Sequence, residues 1–325
     1  MIILEENKII PHAGNRLTTN QTYISTDTKY LDAAKSANTR RAYQADFKRF
    51  REWCEEKGLQ PIPATAAMIK DYIEEMADSG KFKASTIQRH ISHISQAHEA
   101  AKLDSPTKTF LVRTAMKGIR NKLGTRPTQK KAATATIIKK LCDHLSVSLK
   151  GLRDRAILQV GFAGALRRSE IAALNVEDIE FTDEGMTILL TRSKTDQSGQ
   201  GELIGIEFGD YPYCPVRTLE AWIKESGITE GAVFRRMDKA GRVLNRITDR
   251  SIARVIKDAA AHSGFNKEEF SGHSLRRGLI TTAKRKGTDE HNIMSHTRHK
   301  SVQTMRRYID KSDVFKANPT KGIWD

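Results

Sequence analysis

Apolar residues recur at helical spacing from about residue 38 onward. Tyr43, Phe47, Phe50, Trp53 and Cys54 form a first stripe, which Asn38 or Thr39 can cap and Gly58 stops. A second stripe starts near Thr65 and runs through Met68, Ile69, Tyr72, Ile73 and Met76 to Gly80. A third starts at Ser85 with Ile87, Ile91, Ile94, Ala97 and Ala101. A fourth helix is predicted over about 106–124, with Phe110, Leu111, Ala115, Ile119 and Leu123 on its apolar side. Residues 1–35 are polar and aperiodic and read as a loose arm. The stretch 125–132 has turn chemistry and no apolar anchor, so it reads as a basic linker.

The second half opens with helices again. Ile137, Ile138, Leu141 and Leu145 make one stripe, and the stretch from Leu152 to Leu174 holds a further pair. The period then changes. The segments 178–181, 186–191 and 202–208 are short, rich in Ile, Leu and Phe, and separated by Gly and Asp, which predicts a three-stranded antiparallel meander. Helical patterning resumes at 215–226 and 248–263, after His273, near Asn292 and around Tyr308. The pattern gives a mainly helical α+β chain with one small sheet, divided as arm 1–35, helical domain 36–124, linker 125–132 and second domain 133–325. Trp53 and Trp222 read as core residues.

Composition narrows what such a chain can do. Its 325 residues suit two domains. Lys and Arg number 55 against 39 Asp and Glu, a formal charge of +16, and the pI is about 9.7. No apolar run reaches the ~18 residues of a membrane span, and Glu5 and Glu6 stand where a signal peptide would be basic and then apolar. Three scattered cysteines make neither a disulfide framework nor a zinc cluster. A soluble, reduced, cytoplasmic protein with a polyanionic partner is expected. The charge is concentrated: residues 105–142 carry ten basic residues and no acidic one, threaded with apolar positions, which predicts a folded helix with a cationic face.

Candidate chemistry lies in the second half. One His-x-x-Arg occurs, His273 to Arg276; about one such pair arises by chance in a chain of this composition, so alone it means nothing. The ordered set carries more. Arg167-Arg168-Ser169-Glu170 comes first, then Lys194 in Ser193-Lys194-Thr195-Asp196, then His273 and Arg276, then His299, then Tyr308 nine positions later. This order and spacing resemble the tyrosine recombinases, the phage integrase family, over the chain from about residue 38. The helical half is similar too: Ser85–His90 stands where two-domain members have a DNA-reading helix, and the basic helix and linker follow.

The resemblance implies a core-binding helical domain, a catalytic domain, and a site-specific recombinase that cleaves and rejoins duplex DNA through a 3′-phosphotyrosine. It makes Tyr308 the nucleophile and Lys194 the general acid for the leaving 5′-oxygen. Arg167 and Arg276 form the clamp on the non-bridging phosphate oxygens, a task that suits guanidinium forks. His273 is the candidate base, since a phenol near pKa 10 needs its proton removed. His299 would hydrogen-bond a phosphate oxygen, and Glu170 would orient the site from behind. Conserving phosphodiester energy in the covalent intermediate requires neither ATP nor metal, so no cofactor is expected, and His296-x-x-His299 lacks companions for a zinc site. Arg89, Arg120, Lys122, Arg126, Arg250, Arg254 and Lys257 are the candidate DNA contacts, and Arg168 reads as solvated. Partners implied are DNA with inverted half-sites, a homodimer per site and a homotetramer in the synapse, with the apolar tail 312–325 docking on a neighbour; nucleoid association would follow. Two positions depart from the family's usual glycine, Ala165 and Arg298, and some members have Trp in place of His299. Rival readings are a type IB topoisomerase or telomere resolvase, which use a similar residue set, and a non-catalytic DNA-binding protein.

Overall fold

The computed structural model describes residues 37–125, 129–191, 201–299 and 301–303. The arm, Arg126, Lys194, Tyr308 and the tail lie outside the described residues. The chain divides into two compact units, Met1–Thr128 and Gln129–Asp325.

The first unit holds helices α1 (Ala37–Glu56), α2 (Ala66–Asp78), α3 (Ala84–Ala100) and α4 (Phe110–Leu123). Thr65 caps α2, its hydroxyl accepting from the Met68 amide at 3.3 Å. The predicted stripes are buried: Phe47, Phe50, Trp53 and Cys54 from α1, Ile69, Tyr72, Ile73 and Met76 from α2, and Ile87, Ile91 and Ile94 from α3. Helix α4 corrects the sequence reading. Pro106–Lys108 forms a short 3-10 turn, Thr109 caps the helix, and α4 starts only at Phe110. That start turns Val112, Met116 and Ile119 inward, spaced four and three apart. Phe110 is left 78% exposed, and Leu111 and Leu123 are also exposed. The cationic face is partly spoken for as well: Lys108 pairs with Glu99 at 3.2 Å and Lys122 with Asp78 at 3.1 Å.

The second unit is built around α6 (Leu149–Ala163), a helix apolar on several faces and therefore buried. It packs against α5 (Ala135–Asp143), α8 (Pro215–Ser226) and α10 (Gly272–Arg285). Trp222 is fully buried, its indole N–H donating to the Val233 carbonyl at 2.9 Å. A short helix α7 (Arg168–Ala173) packs on α9 (Asp249–His262). Strands β1 (Ile179–Thr182), β2 (Gly185–Leu190) and β3 (Glu202–Glu207) form the expected antiparallel meander, with Ile188 paired to Ile179 and Ile204. Its alternation is regular: Met186, Ile188, Ile204 and Ile206 face the core while Leu189 and Leu203 face out. A second hairpin, β4 (Arg235–Met237) with β5 (Val243–Arg246), was not expected; its strands are short, and only Met237 and Val243 of them pack on the core.

The end of the predicted linker is not loose. The Lys131 amide donates to the Glu269 carbonyl at 2.8 Å and the Ala133 amide to the Ser274 carbonyl at 2.9 Å. This lays 131–133 along the start of α10. A Cβ on Gly278 would sit 1.8 Å from the Ala133 carbonyl oxygen, so only glycine permits the approach. The last described helix is α11 (Glu290–Thr297). Among the described residues no helix is long and apolar enough to cross a membrane.

Candidate active site

The site is built where the turn before α7, the first turns of α10 and the end of α11 meet. After α6 the chain turns through Ala165, which takes a left-handed φ of +47°. Arg167 then precedes α7, and Glu170 sits one turn into it. The buried Glu170 carboxylate folds back: Oε2 accepts from the Arg167 amide at 2.8 Å and Oε1 from Arg167 Nη1 at 2.5 Å. The pair holds the Arg167 guanidinium in one orientation while leaving it partly exposed.

Arg276 comes from the second turn of α10 and is only 2% exposed. Its Nη1 donates to the Ala165 carbonyl at 3.0 Å, and its Nη2 donates to the Thr297 carbonyl. Nη2 also lies 3.4 Å from His299 Nδ1. His273 stands one turn earlier on the same face of α10 and is exposed. The Thr297 hydroxyl reaches the Ile293 carbonyl at 2.6 Å and His299 Nδ1 at 2.7 Å. Burial, and then the charges of Arg276, Arg167 and Arg298, push the His299 pKa down to about 4, so the ring is neutral at physiological pH.

The structure thus brings Arg167, Glu170, Arg276 and His299 into one cluster. Lys194 and Tyr308 lie outside the described residues. Three contributors were not foreseen: the Ala165 carbonyl, Thr297 and Arg298. The signal for two of them was present, since Ala165 and Arg298 are the positions that depart from the usual glycine. Both take left-handed backbone, Arg298 with φ +56° at the end of α11, and that conformation is why glycine suits them. His296 is engaged elsewhere, its Nε2 lying 2.7 Å from the Ala163 carbonyl.

Across the chain, residues 131–314 match the phage integrase family, and residues 28–103 match the phage integrase N-terminal SAM-like domain. An integrase/recombinase XerD homolog from Selenomonas ruminantium is 36% identical over 316 residues, covering 95% of this chain and 92% of that protein. The chain belongs to the phage integrase family. The Cre recombinase of Escherichia phage P1 is 27% identical over 281 residues, 80% of each chain. In fold, this integrase resembles XerH recombinase bound to a palindromic difH substrate, with a TM-score of 0.63 at 16% identity, covering 87% of this chain and 79% of that one. It also resembles a λ integrase tetramer bound to a Holliday junction, with a TM-score of 0.61 at 17% identity, covering 87% and 74%.

The candidate DNA contacts fall into two groups. Arg250 and Arg254 are exposed on α9. Arg126 lies outside the described residues, and the remaining four have protein partners. Arg89 grips Asp46 with two hydrogen bonds of 2.7 and 3.0 Å, Arg120 donates to Gln88 at 2.6 Å, and Lys257 pairs with Glu268 at 2.8 Å, besides the Lys122–Asp78 pair above. The exposed Lys122 and Lys257 pairs hold their side chains weakly and can be exchanged for phosphate, whereas Arg89 is fixed on the buried Asp46. Arg168 is not simply solvated: it is half-buried and its stem crosses the start of α10, where a Cβ on Gly272 would lie 1.8 Å from Arg168 Cγ.

Proposed function

We propose that this recombinase cuts one DNA strand at a time with Tyr308 and holds the scissile phosphate on Arg167, Arg276 and His299. The observation that carries the reading is the convergence of two oriented guanidiniums and a neutral imidazole on elements far apart in the chain. Attack of the Tyr308 oxygen on phosphorus places negative charge on the non-bridging oxygens. Preorganised cations stabilise that charge without rearranging, an effect worth roughly 10²–10³ in rate per donor. The neutral His299 ring adds a polar contact. His273 takes the phenolic proton and Lys194 protonates the departing 5′-oxygen. The same steps run backwards when the 5′-hydroxyl of a partner strand attacks the 3′-phosphotyrosine, so bond energy is conserved.

The substrate is duplex DNA with inverted half-sites, bound by a dimer, and two such dimers form a tetrameric synapse in the cytoplasm. Solved relatives of the same fold, captured on a palindromic site and as a tetramer on a Holliday junction, support this assembly. An apolar groove of about 420 Å³, lined by residues including Phe162, Ile206, Phe208, Leu279 and Ile293, suits an apolar tail such as 312–325 from a neighbour. Truncation after residue 312 should then abolish synapsis and leave binding to a single site intact.

The deciding experiment uses a nicked substrate that traps the cleaved strand. The parent chain should give a covalent protein–DNA band that Tyr308→Phe loses while still binding DNA. Equal binding with no adduct from the parent would leave only a DNA-binding protein. Binding itself should weaken by roughly 10³–10⁵ between 50 and 200 mM salt if about eight phosphates are neutralised.

A further inference from the structure

Arg298 stands where most of the family's usual pattern has glycine, in a backbone conformation glycine adopts freely, yet here the position carries a large charged side chain. That side chain is turned inward, and only 9% of the residue is exposed. Its Nη2 donates to the Ala165 carbonyl at 3.1 Å and to Glu170 Oε2 at 3.2 Å, with the Gly164 carbonyl at 3.4 Å. Nε faces Glu202 Oε2 at 4.0 Å, and Nε and Nη1 make no hydrogen bond. Two features matter. The Ala165 carbonyl receives both Arg276 and Arg298, so one oxygen fixes two arginines. The Glu170 carboxylate is shared between Arg167 and Arg298.

We propose that Arg298 is a positioning residue that supplies the counter-charge for Glu170, so that Glu170 orients Arg167 without cancelling its charge toward the phosphate. The proposal rests on the cleavage chemistry above. A carboxylate paired with Arg167 alone would offset the charge of that arginine and leave Arg276 as the clamp's one uncompensated cation. Shared with a second guanidinium, it fixes geometry while the cluster gains one further positive charge. Burial first, and then Arg276, Arg167 and this same cation, keep the His299 ring neutral; Glu170 and Glu202 are the anions that face Arg298. Burial of Arg298, offset in part by Glu170, holds its own pKa below the ordinary value.

The test is a two-residue cycle on the nicked substrate. Arg298→Gly suits the left-handed backbone, so the fold is retained, but Glu170 then discharges Arg167: adduct formation should slow at least about tenfold. Adding Glu170→Gln removes the offending charge and should restore several-fold of that loss. Arg298→Lys keeps the charge, loses the fork and should fall between parent and Arg298→Gly. A merely structural role predicts the opposite sign of coupling, with the double variant as slow as Arg298→Gly or slower, and that result would overturn the proposal. So would parent-like cleavage by Arg298→Gly. The His299 titration, followed by NMR, gives a readout free of activity: its midpoint should move up in Arg298→Gly, and an unmoved midpoint counts against the proposal. A parent chain that forms no adduct defeats the cleavage chemistry itself, and the titration still decides whether Arg298 governs the cluster.

Discussion

Asp46 in the helical unit and Glu170 in the catalytic unit are both carboxylates buried among cations, and the two differ in how the charge closes. In the helical unit Asp46 is 6% exposed and meets Arg89 through two hydrogen bonds, His90 at 3.2 Å and His93 at 2.9 Å. Burial drives the His90 pKa down to about 4, and its Nδ1 lies 2.9 Å from the Tyr72 hydroxyl. One guanidinium therefore balances one carboxylate, and His90 serves as a neutral hydrogen-bonding group. Burial pushes the Asp46 carboxyl up, but the Arg89 hydrogen bond and the surrounding positive charges outweigh it, leaving the pKa below its usual value. In the catalytic unit Glu170 meets two guanidiniums, and a third, Arg276, shares the Ala165 carbonyl. Glu202 stands 4.0 Å from Arg298, too far to close the balance with a hydrogen bond. A buried carboxylate is thus compatible with a closed structural knot or with a site left with an excess of cations. The number and aim of the cations decide which.

That contrast can be broken most severely at Arg276. Arg276→Lys keeps the charge and loses the fork, so cleavage in the bound complex should fall by roughly 10²–10³, read by single-turnover adduct formation. A loss of stability with cleavage intact would make this cluster another structural knot. Next comes Asp46→Ala, which should cost about 1–3 kcal/mol in urea unfolding by leaving buried polar groups unmatched. Adduct formation per bound complex should hold; a large drop there would erase the distinction between the units.

Acid offers a graded test. His90 and His299 both have folded pKa values near 4 against 6.5 in the unfolded chain. The unfolded chain therefore binds protons that the folded chain refuses. Stability is full above about pH 6.5 and falls as the pH drops toward 4. Urea curves at pH 7 and 5 check this, and His90→Gln should flatten the slope in the helical unit; identical curves for parent and variant would contradict a neutral His90. The smallest effect is expected at Arg254→Ala on the exposed face of α9, where the salt dependence of DNA binding should lose about one unit of slope. An unchanged slope would remove Arg254 from the DNA-contacting face.

Local periodicity determined much of this molecule. The edges of α2 at Thr65 and of α8 at Pro215 and Ser226, the three-stranded meander, and the order of Arg167, His273, Arg276 and His299 are all legible in the chain, because caps, breakers and apolar spacing act over a few residues. Helix α4 shows the limit: a start shifted to Phe110 exchanged one plausible stripe for another, and only packing chose Val112, Met116 and Ile119. The β4–β5 hairpin left too short an apolar trace to read, since only Met237 and Val243 of its strands pack on the core.

The balance of charge in the site was beyond local reading for a firmer reason. The bonds from Arg276 and Arg298 to Ala165 span 111 and 133 residues. The sequence marks Ala165 and Arg298 only as unusual residues where glycine is usual. Folding alone set one carbonyl beneath two guanidiniums and one carboxylate between two, because a net electrostatic field is a sum over distances that no neighbouring pattern records.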